Sequence, residues 1–138
     1  MSNAIAWWGA GLSTLLALIK LWELWRDRFR LQVGYNFRGN EDLGNEVIIR
    51  NLSMRPVVLT YWELLYCSGR LPNRTFETLR DPGADAMDIQ IAPHTSYTLT
   101  FAEQDHFAWG ATALNVRAIY LRLHLAGRRP ILRKVYSH

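Results

Sequence analysis

The chain has 138 residues, 49% hydrophobic and 20% charged, which allows one packed domain with an appendage and argues against wholesale disorder. Its net charge of +4 comes almost wholly from arginine, 14 Arg against 2 Lys. That bias suits an anionic lipid surface and is small for a dedicated nucleic-acid binder. A single cysteine, Cys67, excludes an intramolecular disulfide and a thiolate-pair zinc site. At the end of the apolar run "LLYCSGR" it reads as a small buried hydrophobe.

Residues 4–19, "AIAWWGAGLSTLLALI", carry no charge. Continued to Trp25 the run predicts a helix about 33 Å long, against a hydrocarbon core of about 30 Å. Trp7 and Trp8 stand near its start, and Trp22 and Trp25 near its finish. Indole rings favour the headgroup boundary, so the four form two interfacial belts. Residues 1–25 are therefore expected to be a transmembrane helix and residues 26–30 a basic juxtamembrane linker. Lys20 and Glu23 oppose this, since a charge at mid-bilayer costs about 2.5–3.5 kcal/mol by insertion scales. Both lie near the end of the run, where Lys20 can snorkel and the i, i+3 spacing lets them pair.

No basic side chain precedes the apolar run, and bulky tryptophans stand where a signal peptidase needs small residues, so an uncleaved signal-anchor is expected. Arg26, Arg28 and Arg30 follow it, and the positive-inside bias places the carboxy-terminal domain in the cytoplasm. The alternative is an exported accessory domain of opposite topology; the triplets at Asn51 and Asn73 would matter only in a eukaryotic secretory route, and such triplets often arise by chance, so both read as incidental. At 100° per residue, Ala6, Gly9, Ser13, Lys20, Glu23 and Asp27 share a stripe about 100° wide. Small residues on such a stripe let a second helix approach closely.

From residue 31 the period changes from helical to alternating. "LQVGYNFR", "EVIIRNLS", "PVVLTYWELLY", "MDIQIA", "TSYTLTF", "LNVRAIYLRLHL" and "PILRKVY" are strand candidates rich in β-branched and aromatic residues. In "TSYTLTF", Tyr97, Leu99 and Phe101 point inward and the threonines outward. Turn signals separate the runs, and "AGRRP" closes a last hairpin. About seven strands over residues 31–138 predict an all-β domain, an antiparallel β-sandwich behind the helix. Residues 69–87 are long for a loop and can carry a ragged edge strand, while "EQDHFAWGATA" reads as a loop or short helix.

The segments "VIIRNLSMRPVVLTYWELLY", "IAPHTSYTLTF" and "VRAIYLRLHLAGRRP" resemble a group of small bacterial and phage proteins with one amino-terminal transmembrane helix and an immunoglobulin-like sandwich. The likeness rests on a corner at Asn51, Ser53, Arg55, Pro56 and Val57, a turn at Ile91, Pro93, His94, Thr95 and Ser96, and the glycine turn at Gly127. It covers most of residues 31–136 and implies fold, with no catalytic residues. His94 stands where typical members have glycine.

Chemistry-bearing motifs are sparse. His94, His106, His124 and His138 have no metal spacing. Glu103, Asp105 and His106 could serve an enzyme only within a polar cleft, and adjacent residues such as Asp105 and His106 rarely face one site. His124 alternates with leucines and is expected to face solvent. Asp81, Asp85 and Asp88 are a loose acidic set that departs from the calcium-loop spacing and reads as a solvated loop. No GxSxG, SxxK or phosphate loop occurs. Arg128, Arg129, Arg133 and Lys134 gather near the last hairpin. They would meet an anionic leaflet at about 1 kcal/mol each, or protect a sheet edge. The expectation is a non-enzymatic, membrane-anchored binding module. Its partners would be the lipid bilayer and a protein or a second copy, with no nucleic acid, small-molecule substrate or cofactor. A small hydrolase-like enzyme is the remaining alternative.

Overall fold

A computed structural model of the chain describes residues 2–70 and 72–137, without the side chains of Ser2 and Asp85. Helix α1 runs Ser2–Arg26 as a leucine- and alanine-rich segment without proline. Its backbone ends with Asp27 N–H donating to Glu23 O (2.8 Å) and Arg28 N–H to Trp25 O (3.3 Å). Beyond that point the sandwich captures the chain. Arg30 N–H donates to Ser53 Oγ (2.8 Å), the Ser53 hydroxyl donates to Arg30 O (3.1 Å), and Leu52 N–H also donates to Arg30 O (3.0 Å).

Eight strands follow in two antiparallel sheets. They are β1 Leu31–Asn36, β2 Asn45–Asn51, β3 Val57–Ser68, β4 Thr75–Arg80, β5 Ile89–Ile91, β6 Ser96–Phe101, β7 Ala118–Leu125 and β8 Ile131–Ser137. One sheet has the order β1-β2-β6; the other is β4-β3-β7-β8, with β5 on β3. The expected fold class, an antiparallel β-sandwich behind one apolar helix, is what forms. The extra strand is β4, the ragged edge strand within residues 69–87. It pairs with the distal half of β3 and β5 with the proximal half, so both extend the same side of the sheet.

Alternation builds the core. On β7, Ile119, Leu121, Leu123 and Leu125 turn inward and are buried, while Tyr120, Arg122 and His124 turn outward. They meet Val47, Ile49, Leu59, Leu64, Leu99 and Phe101 from the facing strands. Cys67 is buried as expected, on the outer side of β3 rather than within this core cluster. On the β1–β8 side the two sheets are joined by rings. Tyr35 and Phe37 lie 5.2 and 5.5 Å from Tyr136, and Phe37 lies 5.3 Å from Phe107. Tyr35 itself is exposed, because it caps this cluster from outside.

The strands define two poles. The pole next to α1 holds the starts of β1 and β3, the ends of β2 and β7, and the β7–β8 turn. The distal pole carries residues 37–44, 69–70, 72–74 and 102–117. There "LNVRAIYLRLHL" departs from the expected single strand. Ala111–Leu114 form a short helix, Asn115 and Val116 take the left-handed conformation (φ 46° and 68°), and pairing begins at Ala118. Burial pushes the Tyr66 phenol above its usual range, against the lowering pull of Arg117 and Arg80. It remains a donor, reaching Ala108 O at 3.2 Å.

Val116 is a β-branched residue held at positive φ and 99% exposed. Nothing packed against its side chain offsets the steric cost of that conformation. Val116→Asn is expected to stabilise the fold by about 1 kcal/mol, read as a higher midpoint in urea or heat. An unchanged or lower midpoint would show that the valine is not strained.

Candidate membrane interface

Helix α1 is exposed along almost its whole length, and Trp7, Trp8, Trp22 and Trp25 are each more than half exposed. It is long and apolar enough to cross a membrane by length and composition. Its apolar side chains cover nearly the whole circumference, which distinguishes it from a surface-lying helix with a broad charged face. Polar groups along it are partnered internally. Lys20 Nζ lies 3.1 Å from Glu23 Oε2, the pairing expected from their spacing. The Thr14 hydroxyl, which the sequence reading had passed over, donates to Ala10 O at 2.8 Å. Where no water competes, this bond relieves the cost of an unpaired hydroxyl.

Along the stripe, Ala6, Gly9, Ser13 and Lys20 are exposed and Glu23 is half-buried. A side chain added at Gly9 would meet nothing within 4 Å. A notch on α1 lies off this stripe, at Gly11 between Trp7, Trp8, Leu12 and Leu15.

The arginines at the end of α1 cover its second aromatic belt. Arg26 lies over the Trp22 ring (4.9 Å) and Arg30 over the Trp25 ring (5.3 Å). Arg26 also pairs with Asp27 at 3.7 Å. Guanidinium groups beside indoles place cation and aromatic at one level, as an anionic headgroup layer would favour.

Under the helix, the corner around Asn51 organises the proximal pole. Asn51 is fully buried. Its Nδ2 donates to Arg55 O (2.8 Å) and Ile91 O (3.0 Å), and its Oδ1 accepts from Ser53 N–H (3.0 Å). The amide is thus committed to the fold and closed to a glycan, whereas Asn73 stands exposed. The loop so held presents Leu52 and Met54, both more than 40% exposed, beside Arg55. Sequence reasoning missed these two as surface groups, since an apolar residue in a corner motif reads as core. His94, at φ 57°, leans on Met54 with Nε2 3.3 Å from Sδ.

The β7–β8 turn returns to this pole. Arg128 lies 4.0 Å over the Phe29 ring. With Asp27, Ser53, Arg55 and Pro56 it lines a recess of about 130 Å³ between helix and sandwich. Arg129 adjoins it in the turn. Arg133 and Lys134 do not share the site. They stand further along β8, opposite Leu121 and Tyr120, exposed on the outermost strand of their sheet. The four basic residues read together in the sequence therefore divide. Two sit at the helix junction, and two guard a sheet edge.

The remaining titratable groups do not converge. His106 Nε2 approaches Arg38 O at 3.5 Å, and Asp105 lines a groove with Arg80 and Asp81 instead of facing His106. His124 is half-buried, 3.2 Å from Glu63 Oε2, which also accepts from Arg122. Asp81 Oδ1 accepts Gly83 N–H at 2.9 Å in a local turn. Among the described residues no three His, Cys, Asp or Glu side chains converge on a metal position. The Asp85 side chain and His138 lie outside the described residues.

Fold and site together define a β-sandwich carried on an exposed apolar helix, with a basic, aromatic and partly apolar junction between them. No protein-family model matches the chain, and no curated protein matches it.

Proposed function

We propose that the chain is a single-pass membrane-anchored β-sandwich whose domain faces the cytoplasm and acts by binding a protein partner or a second copy of itself. The observation that carries this is α1: a 25-residue apolar helix with no buried segment. Leaving so much apolar surface in water would cost about 25 cal/mol per Å², and a bilayer removes it. The arginines after the helix favour the cytoplasmic side. The proximal pole adds Leu52 and Met54 to insert among headgroups and Arg55, Arg128 and Arg129 to meet their charge, at about 1 kcal/mol per cation. The resemblance to small anchored immunoglobulin-like proteins agrees with this reading.

Purification in detergent with cross-linking mass spectrometry tests the binding role, and a monodisperse monomer with no captured partner would overturn it. Self-association through α1 has its own test. Leucine at both Gly9 and Ser13 fills the narrow stripe, and the detergent-solubilised assembly is expected to drop by at least one copy in size-exclusion light scattering. An unchanged mass would show that the small residues there are incidental.

A further inference from the structure

We propose that the outer edge of β6, with the groove beside it, takes up an extended, basic segment of a partner protein as an added strand. The proposal rests on the binding-module reading above and names the surface that does the binding.

Strand β6 pairs only with β2 and ends its sheet. The pair Asn51–Thr95 continues that ladder, and Asn51 N–H donates to Thr95 O at 2.9 Å. Antiparallel pairs alternate between bonded and non-bonded. Tyr97, Leu99 and Phe101 therefore exchange bonds with β2, and the N–H and C=O groups of Thr98 and Thr100 point away from it. Among the described residues, no hydrogen bond from another segment reaches this outer edge.

Of the other outermost strands, β5 is only three residues long, Ile89–Ile91, too short to template a long partner, and the longer ones are defended. β4 carries Glu77 and Arg80, and β8 carries Arg133 and Lys134. Uncharged β1 is flanked by β8 through the Tyr35–Tyr136 contact. Strand β6, "SYTLTF", has no charge and no proline. An edge of this kind is a template for strand addition.

Beside it the sandwich stays open. Tyr97 to Thr100 form one wall of a groove whose other side is Leu59 to Trp62, with a lobe of about 530 Å³. A second lobe of about 320 Å³ continues past Leu99 to Phe101. Tyr97, expected inward, is 37% exposed because it lines this groove instead of the core. The rim is acidic in a chain of net charge +4. It carries Asp81 and Asp105 in one lobe and Asp88 in the other. Among the described lining residues the guanidinium is that of Arg80, and it is occupied by the carbonyls of Leu79, Asp105 and His106. Partial burial, then the Asp81 and Glu63 carboxylates, hold the Tyr61 phenol above its usual range.

Walls that mix aromatic and aliphatic side chains with hydroxyls, free backbone groups and acidic rims suit a segment alternating aliphatic side chains with lysine or arginine. A second copy does not fit the same place in one membrane. Antiparallel β6–β6 pairing needs a two-fold axis perpendicular to the strands. That axis would send the two α1 helices off from opposite ends.

The test uses the full chain in nanodiscs of phosphatidylcholine. The probe is a fluorescent peptide alternating lysine with valine, about nine residues long to span the edge, with its glutamate–valine counterpart as control. The lysine peptide is expected to bind at least about tenfold more tightly than the glutamate peptide and to slow hydrogen exchange at the Thr98 and Thr100 amides. Thr98→Pro removes an edge donor without touching the β2 ladder and should lose about tenfold in binding. Asp81→Asn with Asp88→Asn should erase the preference for lysine. Equal binding by Thr98→Pro, or unslowed amides in the parent chain, would overturn the proposal. The amide readout stands even if the proline variant does not fold. Protection of these amides without peptide would mean a second copy is bound there, which also overturns it. A partner that still cross-links to a folded Thr98→Pro chain leaves the binding role intact and removes only this groove.

Discussion

Asn51→Ala is expected to destabilise the sandwich severely and to lower its urea midpoint. The substitution removes an amide with no solvent exposure and leaves Arg55 O, Ile91 O and Ser53 N–H without their partner. Each buried group left unpaired costs about 1–3 kcal/mol, so the loss is about 3 kcal/mol or more, against about 5–15 kcal/mol for a typical domain. The damage also spreads to the anchor. Ser53 positions Arg30, so loosening the corner frees the chain just after α1. Urea unfolding in detergent, followed by tryptophan fluorescence and near-ultraviolet circular dichroism, measures the effect. A midpoint within experimental error of the parent would mean that water or a shifted loop replaces the amide.

Converting Arg26, Arg28 and Arg30 together to glutamine is expected to destroy the one-sided insertion of the chain. In the orientation proposed above, these three carry the charge bias that would keep the sandwich in the cytoplasm, and without them on the order of half the molecules should insert the other way. The fold itself should survive, because Arg30 holds Ser53 through backbone atoms. Reporters fused after the last residue, one active only when exported and one only in the cytoplasm, give the ratio directly. Export-dependent activity in the unmodified chain would overturn the orientation. An unchanged ratio in the triple variant would locate the bias elsewhere, with Arg55 and Arg128 at the same pole as the next groups to change.

What could be read from the sequence was what local period encodes. The uncharged run, the tryptophan pairs and the alternation in "AIYLRLHL" correspond to α1 and β7 with small errors at the ends. Long-range pairing was less legible. Strand β5 is only Ile89–Ile91 because β3 passes from β5 to β4 along one edge, a consequence of register that "MDIQIA" does not contain. Tyr97 obeyed the alternation and still came out exposed, since inward is not the same as covered at an open edge. The separation of Arg128 from Arg133 and Lys134 depends on where the hairpin turns relative to α1, and nearness in sequence gave the opposite impression. His94 was the informative departure. Glycine typically stands at that position in the resembling proteins, and here φ is 57°, a conformation that histidine adopts more readily than most side chains. The Asn51 corner was visible as a motif, but its bond to Ile91 spans 40 residues and only the fold reveals it.

The short capture between α1 and β1 has a consequence for reach. Only residues 27–29 lie between the end of the helix and the hydrogen-bonded Arg30, a span of about 10–14 Å at full extension. A flexible leash would let the domain sweep a hemisphere over the membrane and meet soluble proteins at any height. This domain is instead mounted, and its height and heading follow those of the helix. If α1 spans a bilayer as proposed, partners confined to the same sheet of lipid would encounter it at a fixed elevation and at a much raised local concentration. Turning the helix about its own axis would turn the sandwich with it.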